Sequence, residues 1–348
     1  MKNILITLSA LVLLGCQTKK EKEKETRVID PVASFTGQQV TGVTVSTMGR
    51  IFANFPRWRE GVKNSVVELG ENGEAIAYPD TIWNRWELGN QPKDSVFIGV
   101  QSVVAHGDKL YVLDTRNPLF KGVIDAPRLF VFELETDRLS TIFILDSSAY
   151  HPNSYINDLR VDEPNNSIYM TDSGKGGLVV LDTKTGRSRR MLDNHSSTTA
   201  ETDHLTIDGK RWENTVHSDG IALDLQTHTL YYHSLTGYTL YAIATNVLRN
   251  GTNEDAIAAV KTVAKTSAPD GMILDTKGTL YYGDLEHHKI NFLDSLGTQQ
   301  TLYQGEQIKW PDTFSIYDGY LYFTNSRINE ASGDISTMDF GIHKIRID

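Results

Sequence analysis

The sequence predicts an all-β fold, a six-bladed β-propeller whose ring is closed by its N- and C-terminal segments. Three observations carry this reading. A unit of about 40–60 residues recurs six times, the period of strand-built radial repeats. Each copy runs from a polar or small strand entry into an apolar-alternating strand, through a polar turn, to a second strand that opens on an aliphatic–aromatic pair. The last stretch, Ile342–Ile347, alternates cleanly, so it can complete a blade with the start of the chain and leave no sheet edge open. The copies begin at Thr41, Gln101, Asn157, Ser218, Pro269 and Pro311, and their second strands at Ile51, Leu110, Ile168, Leu230, Leu280 and Leu321.

At the N terminus, Lys2 and the apolar run Ile4–Leu14 have the charged and apolar parts of a secretory signal, too short for a membrane span. The run ends in Leu13-Leu14-Gly15-Cys16, which resembles the lipobox of bacterial lipoproteins. That resemblance implies a signal peptide over 1–15, cleavage before Cys16, lipidation of Cys16, and anchoring in the bacterial cell envelope. Gln17 after the Cys is compatible with the outer membrane, facing the periplasm or the surface. Residues 16–30 read as a solvated tether, because QTKKEKEKET holds no apolar residue; 31–348 form the propeller.

Third strands are legible at Arg128–Leu134, Leu178–Asp182 and Leu240–Ile243, and hairpin turns at His106-Gly107-Asp108, Asp275–Gly278 and Asp318-Gly319. Three stretches exceed a minimal blade: Trp58–Gly89, Leu192–Thr215 and Asn246–Ala264, the last with a short helix. Loops of this length cover one mouth of the channel. The recurrent Tyr111, Tyr169, Tyr231, Tyr281 and Tyr322 read as packing between blades, whereas Trp58, Trp83 and Trp86 suit either a lid or a buried loop anchor.

Composition narrows the function. The net charge of −10 with interspersed signs and no basic stripe excludes nucleic acid as a partner. Cys16 is the one Cys, so there is no intrachain disulfide, thiolate metal site or catalytic thiol. No Gly-x-Ser-x-Gly elbow, His-Glu-x-x-His or phosphate-binding glycine loop occurs.

The first strand of each blade lines the channel, so strand entries converge. They offer Thr41, Gln101 or Ser102, Asn157 with Asp158, Asp219, Asp270, and Asp312 with Thr313. Carboxylates gathered in a narrow mouth raise one another's pKa, and a cation, a proton or backbone N–H groups can relieve the repulsion. Asn157, Asp219 and Asp270 are oxygen donors of the kind that suits calcium or magnesium. Asp219 and Asp270 are candidate catalytic groups, and His217 a candidate general base. Each Asp-Gly also has the chemistry of a local turn. His287-His288 reads as an exposed turn pair.

Phe55-Pro56-Arg57-Trp58, Tyr155–Leu159, Ile168–Ser173, Gly176–Asp182, His217–Leu223 and Trp310–Thr313 together resemble the major royal jelly protein/yellow family, including bacterial members described as dopachrome-tautomerase-related. The resemblance runs from about Thr41 to the C terminus. It implies a six-bladed propeller, usually secreted, with roles that range from pigment-precursor isomerisation through binding of aromatic amines to nutritive and structural ones. It implies ligand contacts from Thr313 and Asn325, beside Asn157 and Asp158. A more distant resemblance to gluconolactonase propellers implies a metal held by a Glu, an Asn and an Asp. Asp270 matches that Asp, Asp219 stands where the Asn is, and Thr41 replaces the Glu.

Two functions are compatible with these residues. One is an anchored propeller that binds a small organic molecule (aromatic, amine, sugar or lactone) in its channel, with lactone-hydrolysing or tautomerase chemistry. The other is a non-catalytic binding or scaffold lipoprotein.

Overall fold

The computed structural model describes residues 27–348. The signal segment, Cys16 and most of the tether lie outside the described residues. The described chain forms six four-stranded antiparallel sheets arranged as the blades of a propeller.

Each blade takes its strands in chain order from the channel outward. The first is Gly42–Val45, Ile51–Asn54, Val66–Leu69 and Ala75–Ala77. The second is Val100–His106, Lys109–Asp114, Arg128–Glu133 and Arg138–Ile144. The third is Ile156–Asp162, Ser167–Asp172, Leu178–Asp182 and Ser188–Met191. The fourth is Ser218–Asp224, Thr229–Ser234, Thr239–Ala244 and Lys261–Lys265. The fifth is Met272–Leu274, Leu280–Asp284, Lys289–Leu293 and Gln299–Gln304. The sixth joins the two ends of the chain. Pro311–Tyr317, Tyr320–Asn325 and Asp339–Arg346 are completed by Ile29–Thr36, with Ile29 opposite Ile345 and Thr36 opposite Asp339. The blade strand therefore starts at Ile29, inside the stretch read as tether.

The innermost strands of neighbouring blades touch all the way round the ring. The core is divided accordingly, one apolar cluster filling each interface between blades. Tyr111 sits in the cluster between blades two and three, Tyr169 between three and four, and Tyr281 between five and six. This explains the aliphatic–aromatic repeat: the second strand of a blade must present a large side chain to its neighbour as the sheets fan apart.

The long stretches are not idle loops. Trp58–Gly89, read as an insertion, supplies the two outer strands of the first blade and the single helical turn Thr81–Asn84. Asn246–Ala264 takes in most of two short helices, Thr245–Asn250 and Asn253–Ala259, and of the outer strand after them. The second helix is opened by a capping box from Thr252 and Asp255. Leu192–Thr215 carries an extra hairpin, Leu205–Ile207 with Lys210–Trp212, that lies over one end of the channel. Trp83 packs among Phe97, Phe130 and Phe132, and Trp86 is buried, so neither forms a lid.

Candidate functional site

The strand entries are aimed by bulges. Pairing between the first two strands slips between Val100 and Ser102, Ile156 and Leu159, Ser218 and Ile221, and Pro311 and Phe314. A bulge kinks the strand and re-aims a side chain. Here it turns Gln101, Asn157, Asp219 and Asp312 toward the channel, and Asp270 takes the equivalent place in the fifth blade. All five line one cavity of about 450 Å³.

The next residue along is a second, deeper ring. Gly220 and Gly271 are required there for space rather than for a turn. A Cβ on Gly220 would sit 2.6 Å from the Asp270 carbonyl oxygen, and one on Gly271 would overlap the Asp312 carbonyl. The Asp-Gly pairs thus mark where adjacent blades press together at the waist of the channel.

The cavity floor is acidic and almost dry. Gln101, Asn157, Asp219, Asp270 and Asp312 are each 5–8% exposed. Burial, then the charges of Asp270, Asp312 and Asp158, push the Asp219 carboxyl well above the usual carboxylate range. Burial, then the Asp270 charge, does the same to Asp312. Asp312 Oδ2 is buried with no protein partner. Asp270 is raised by burial to about 7, held that low because it accepts hydrogen bonds from Trp310 and Asp219. Trp310 Nε1 lies 2.5 Å from Asp270 Oδ2. Burial and the neighbouring charges thus favour the protonated form of Asp219, whereas the Trp310 indole favours the charged form of Asp270.

Aromatic walls stand over this floor. On one side Trp58 Nε1 donates to the Tyr155 hydroxyl at 2.5 Å, which donates to Gln101 Oε1 at 2.8 Å. Burial raises the Tyr155 pKa, so the phenol remains protonated. Phe120 lies between these rings, 5.7 Å from Trp58 and 4.9 Å from Tyr155 by centroid. It is presented by a loop in which Arg116, Leu119 and Phe120 all have positive φ. Such strain persists only when the surroundings fix it, and here fully buried Arg116 and its neighbours Asp114 and Asp125 anchor the loop. On the other side Trp212, at the end of the second strand of the extra hairpin, packs edge-on against Trp310 at 4.8 Å.

The remaining candidates lie elsewhere. His217 does not line the cavity. Its Nδ1 accepts the Ala200 N–H at 3.0 Å, and burial lowers its pKa, so it is a neutral, fixed ring. Asn325 is engaged by the loop before the sixth blade, accepting from the Lys309 N–H at 2.7 Å and donating to the Gln307 carbonyl at 2.8 Å. Thr313 opens on the opposite mouth of the channel, a funnel of about 350 Å³. Asp158 sits between the two mouths, accepting from Ser102 Oγ at 2.8 Å and paired with Arg160 at 2.9 Å. His288 is not an idle turn residue, since it bonds Asp208 of the extra hairpin at 2.7 Å.

Among the described residues, no three His, Cys, Asp or Glu side chains are grouped to hold a metal ion. Thr41, which the sequence resemblance set in place of a lactonase Glu, is fully buried and takes a hydrogen bond from Asn54 at 3.1 Å. The Trp310 indole N–H occupies one Asp270 oxygen.

Comparison with known proteins settles the family. The family model described as major royal jelly protein matches residues 100–348. The chain belongs to that family. It is 24% identical to Protein yellow of Drosophila melanogaster over 293 residues, 72% of this chain and 52% of that protein. It is 23% identical to Major royal jelly protein 5 of Apis mellifera over 264 residues, 70% of this chain and 42% of that protein. The chain thus spans about half or less of the length of these curated relatives. Among solved structures it resembles a luciferin-regenerating enzyme (TM-score 0.58, 10% identity, 92% of this chain and 95% of that one). It also resembles a gluconolactonase from Xanthomonas campestris (TM-score 0.57, 12% identity, 92% and 90%). At such identities these two share the fold alone.

Proposed function

We propose that the chain is an envelope-anchored propeller that binds a small organic molecule in the aromatic-walled cavity and moves a proton on it with Asp219 and Asp270. One observation carries this: two buried carboxyl groups, both pushed toward their protonated forms by burial, face one another's charge on the floor of a ligand-sized cavity. A structural ion pair would set an Arg or Lys against them, as Arg160 is set against Asp158. This floor keeps one group acidic and the other basic near neutral pH.

The chemistry follows from the asymmetry of the pair. Asp270, its carboxylate steadied by the Trp310 indole, takes a proton from carbon next to a carbonyl or iminium group. Protonated Asp219 gives its proton to the oxygen or nitrogen that gains electron density. Asp270 then delivers that first proton to a different carbon while Asp219 takes back the proton from the oxygen or nitrogen, which completes a tautomerisation with both carboxyl groups restored. The tilted walls of Trp58, Phe120 and Tyr155 hold a ring by its face, and Asn157 and Gln101 offer neutral polar contacts.

Asp219→Asn and Asp270→Asn are each expected to lower turnover on enolisable ring ketones and quinone-type substrates by at least about 100-fold. Turnover of lactones instead, lost in the same variants, would assign the pair to water activation. No turnover across both panels, with ligand binding intact, would leave a binding protein. Calcium or magnesium is the competing neutraliser. Its signature is thermal stabilisation of the wild type that disappears in Asp270→Ala; an unchanged melting temperature in both supports protonation instead.

A further inference from the structure

The direction of the strands fixes where the chain leaves the propeller. In every blade the innermost strand starts at the cavity and ends at the funnel, where Thr44, Leu223, Ile273 and Ile316 lie. In the sixth blade Tyr320 pairs with Arg346 at that far end, and Ile29 pairs with Ile345 beside it. The chain therefore enters the propeller on the face opposite the cavity. Between Cys16 and Ile29 the backbone reaches at most about 45 Å, comparable with the width of the domain. A lipid on Cys16 would hold that face, not the cavity face, closer to the bilayer.

The surface carries a matching signal. Three large apolar side chains stand out as the most exposed among the described residues: Leu296 at 89%, Met48 at 81% and Val28 at 67%. All three lie on the funnel face. Met48 is the tip of the turn between Val45 and Ile51, and Leu296 the tip of the turn between Leu293 and Gln299. Val28 immediately precedes the closing strand. Four turns on this face are closed by an Asp carboxylate that accepts the N–H two residues on, and that residue is Lys184, Gln226 or Lys277 in three of them but Leu296 after Asp294. Large apolar residues have no local role at such tips, and shallow insertion between lipid headgroups gives them one.

We propose that the funnel face of the propeller docks on a lipid surface through Met48, Leu296 and Val28, so that the cavity opens away from the membrane. This rests on the reading of Cys16 as a lipid anchor. Because the chain has no other Cys, a single introduced thiol can be labelled cleanly on the acylated protein. The test uses full-length, acylated protein in phosphatidylethanolamine/phosphatidylglycerol nanodiscs, with a fluorophore at Met48→Cys, Leu296→Cys or, on the cavity face, Ile124→Cys. Brominated acyl chains are expected to quench the labels at 48 and 296 by about half and leave the label at 124 unchanged, since acyl-chain quenchers act only at the depth such tips reach. Quenching at 124, or equal intensity at all three sites, overturns the docking. Mass spectrometry of the N-terminal peptide tests the anchor separately. An unacylated Cys16 overturns the anchor and the docking together, whereas an acylated Cys16 with unquenched labels overturns the docking alone.

Discussion

The two mouths of the channel are built by the same six strands, yet they treat carboxylates in opposite ways. At the waist toward the funnel, Asp158 has Arg160 at 2.9 Å, the Ser102 hydroxyl, and its own neighbour's N–H from Leu159 at 2.7 Å. Arg160 in turn holds the Met272 carbonyl at 2.7 Å, tying the third blade to the fifth across the channel. One register step away, Asp219, Asp270 and Asp312 crowd together, and burial with mutual repulsion outweighs any stabilisation of their charged forms. The difference separates structure from chemistry. A paired carboxylate closes the waist, whereas the raised ones favour their protonated forms at a cost in stability.

The comparison breaks most sharply under the same substitution at both ends. Asp158→Asn leaves Arg160 mostly buried beside a neutral partner, which is expected to destabilise the fold by about 3 kcal/mol. The double variant Asp158→Asn/Arg160→Gln should recover part of that loss in denaturant melts. Asp219→Asn should instead stabilise the protein at pH 8. The sign follows from linkage: the raised folded pKa values mean that the native state binds more protons than the unfolded chain. That contribution is complete below the unfolded value of 3.8 and is lost as pH rises through the folded value, about 7 for Asp270. Wild-type melting temperature should therefore fall between pH 5 and pH 8. The gain from Asp219→Asn at pH 8 should shrink toward pH 5. Loss of stability at pH 8 would mean that the cavity floor is a structural network like the waist. A smaller effect sharpens the upper mouth alone: Phe120→Ala should weaken ring-shaped ligands by about 3–10-fold without moving the pH profile.

Much of this architecture was legible in the residues. The period and the alternating Ile342–Ile347 sufficed for six blades and a ring closed by both termini, because a strand-built repeat has few other solutions. Asp219 and Asp270 were legible because equivalent register positions must converge on the channel. Asn325 and Thr313 lie off the cavity for the same physical reason that Asp219 and Asp270 lie on it. Side chains on a strand alternate, so a step of one residue moves a group from the cavity to the waist, and Asn325 turns to the loop before its blade. Tyr155, Phe120, Trp212 and Trp310 were missed as cavity walls. They meet across blades from separate loops, and no local pattern distinguishes a Trp that packs in the core, such as Trp83, from one that faces a ligand. Trp310, directly before Pro311-Asp312, was the one visible signal. A donor-only ring two residues from a channel Asp can hold a neighbouring blade's carboxylate.

The central claim is that the floor holds a protonated carboxyl beside an anionic one. Carbon-13 NMR of side-chain carboxyls in aspartate-labelled protein, with Asp219→Asn, Asp270→Asn and Asp312→Asn for assignment, reads this directly. The expected result is that Asp270 titrates at about 7 while Asp219 and Asp312 hold their protons well above the usual carboxylate range. Three resonances moving together near 3.8 would contradict the account.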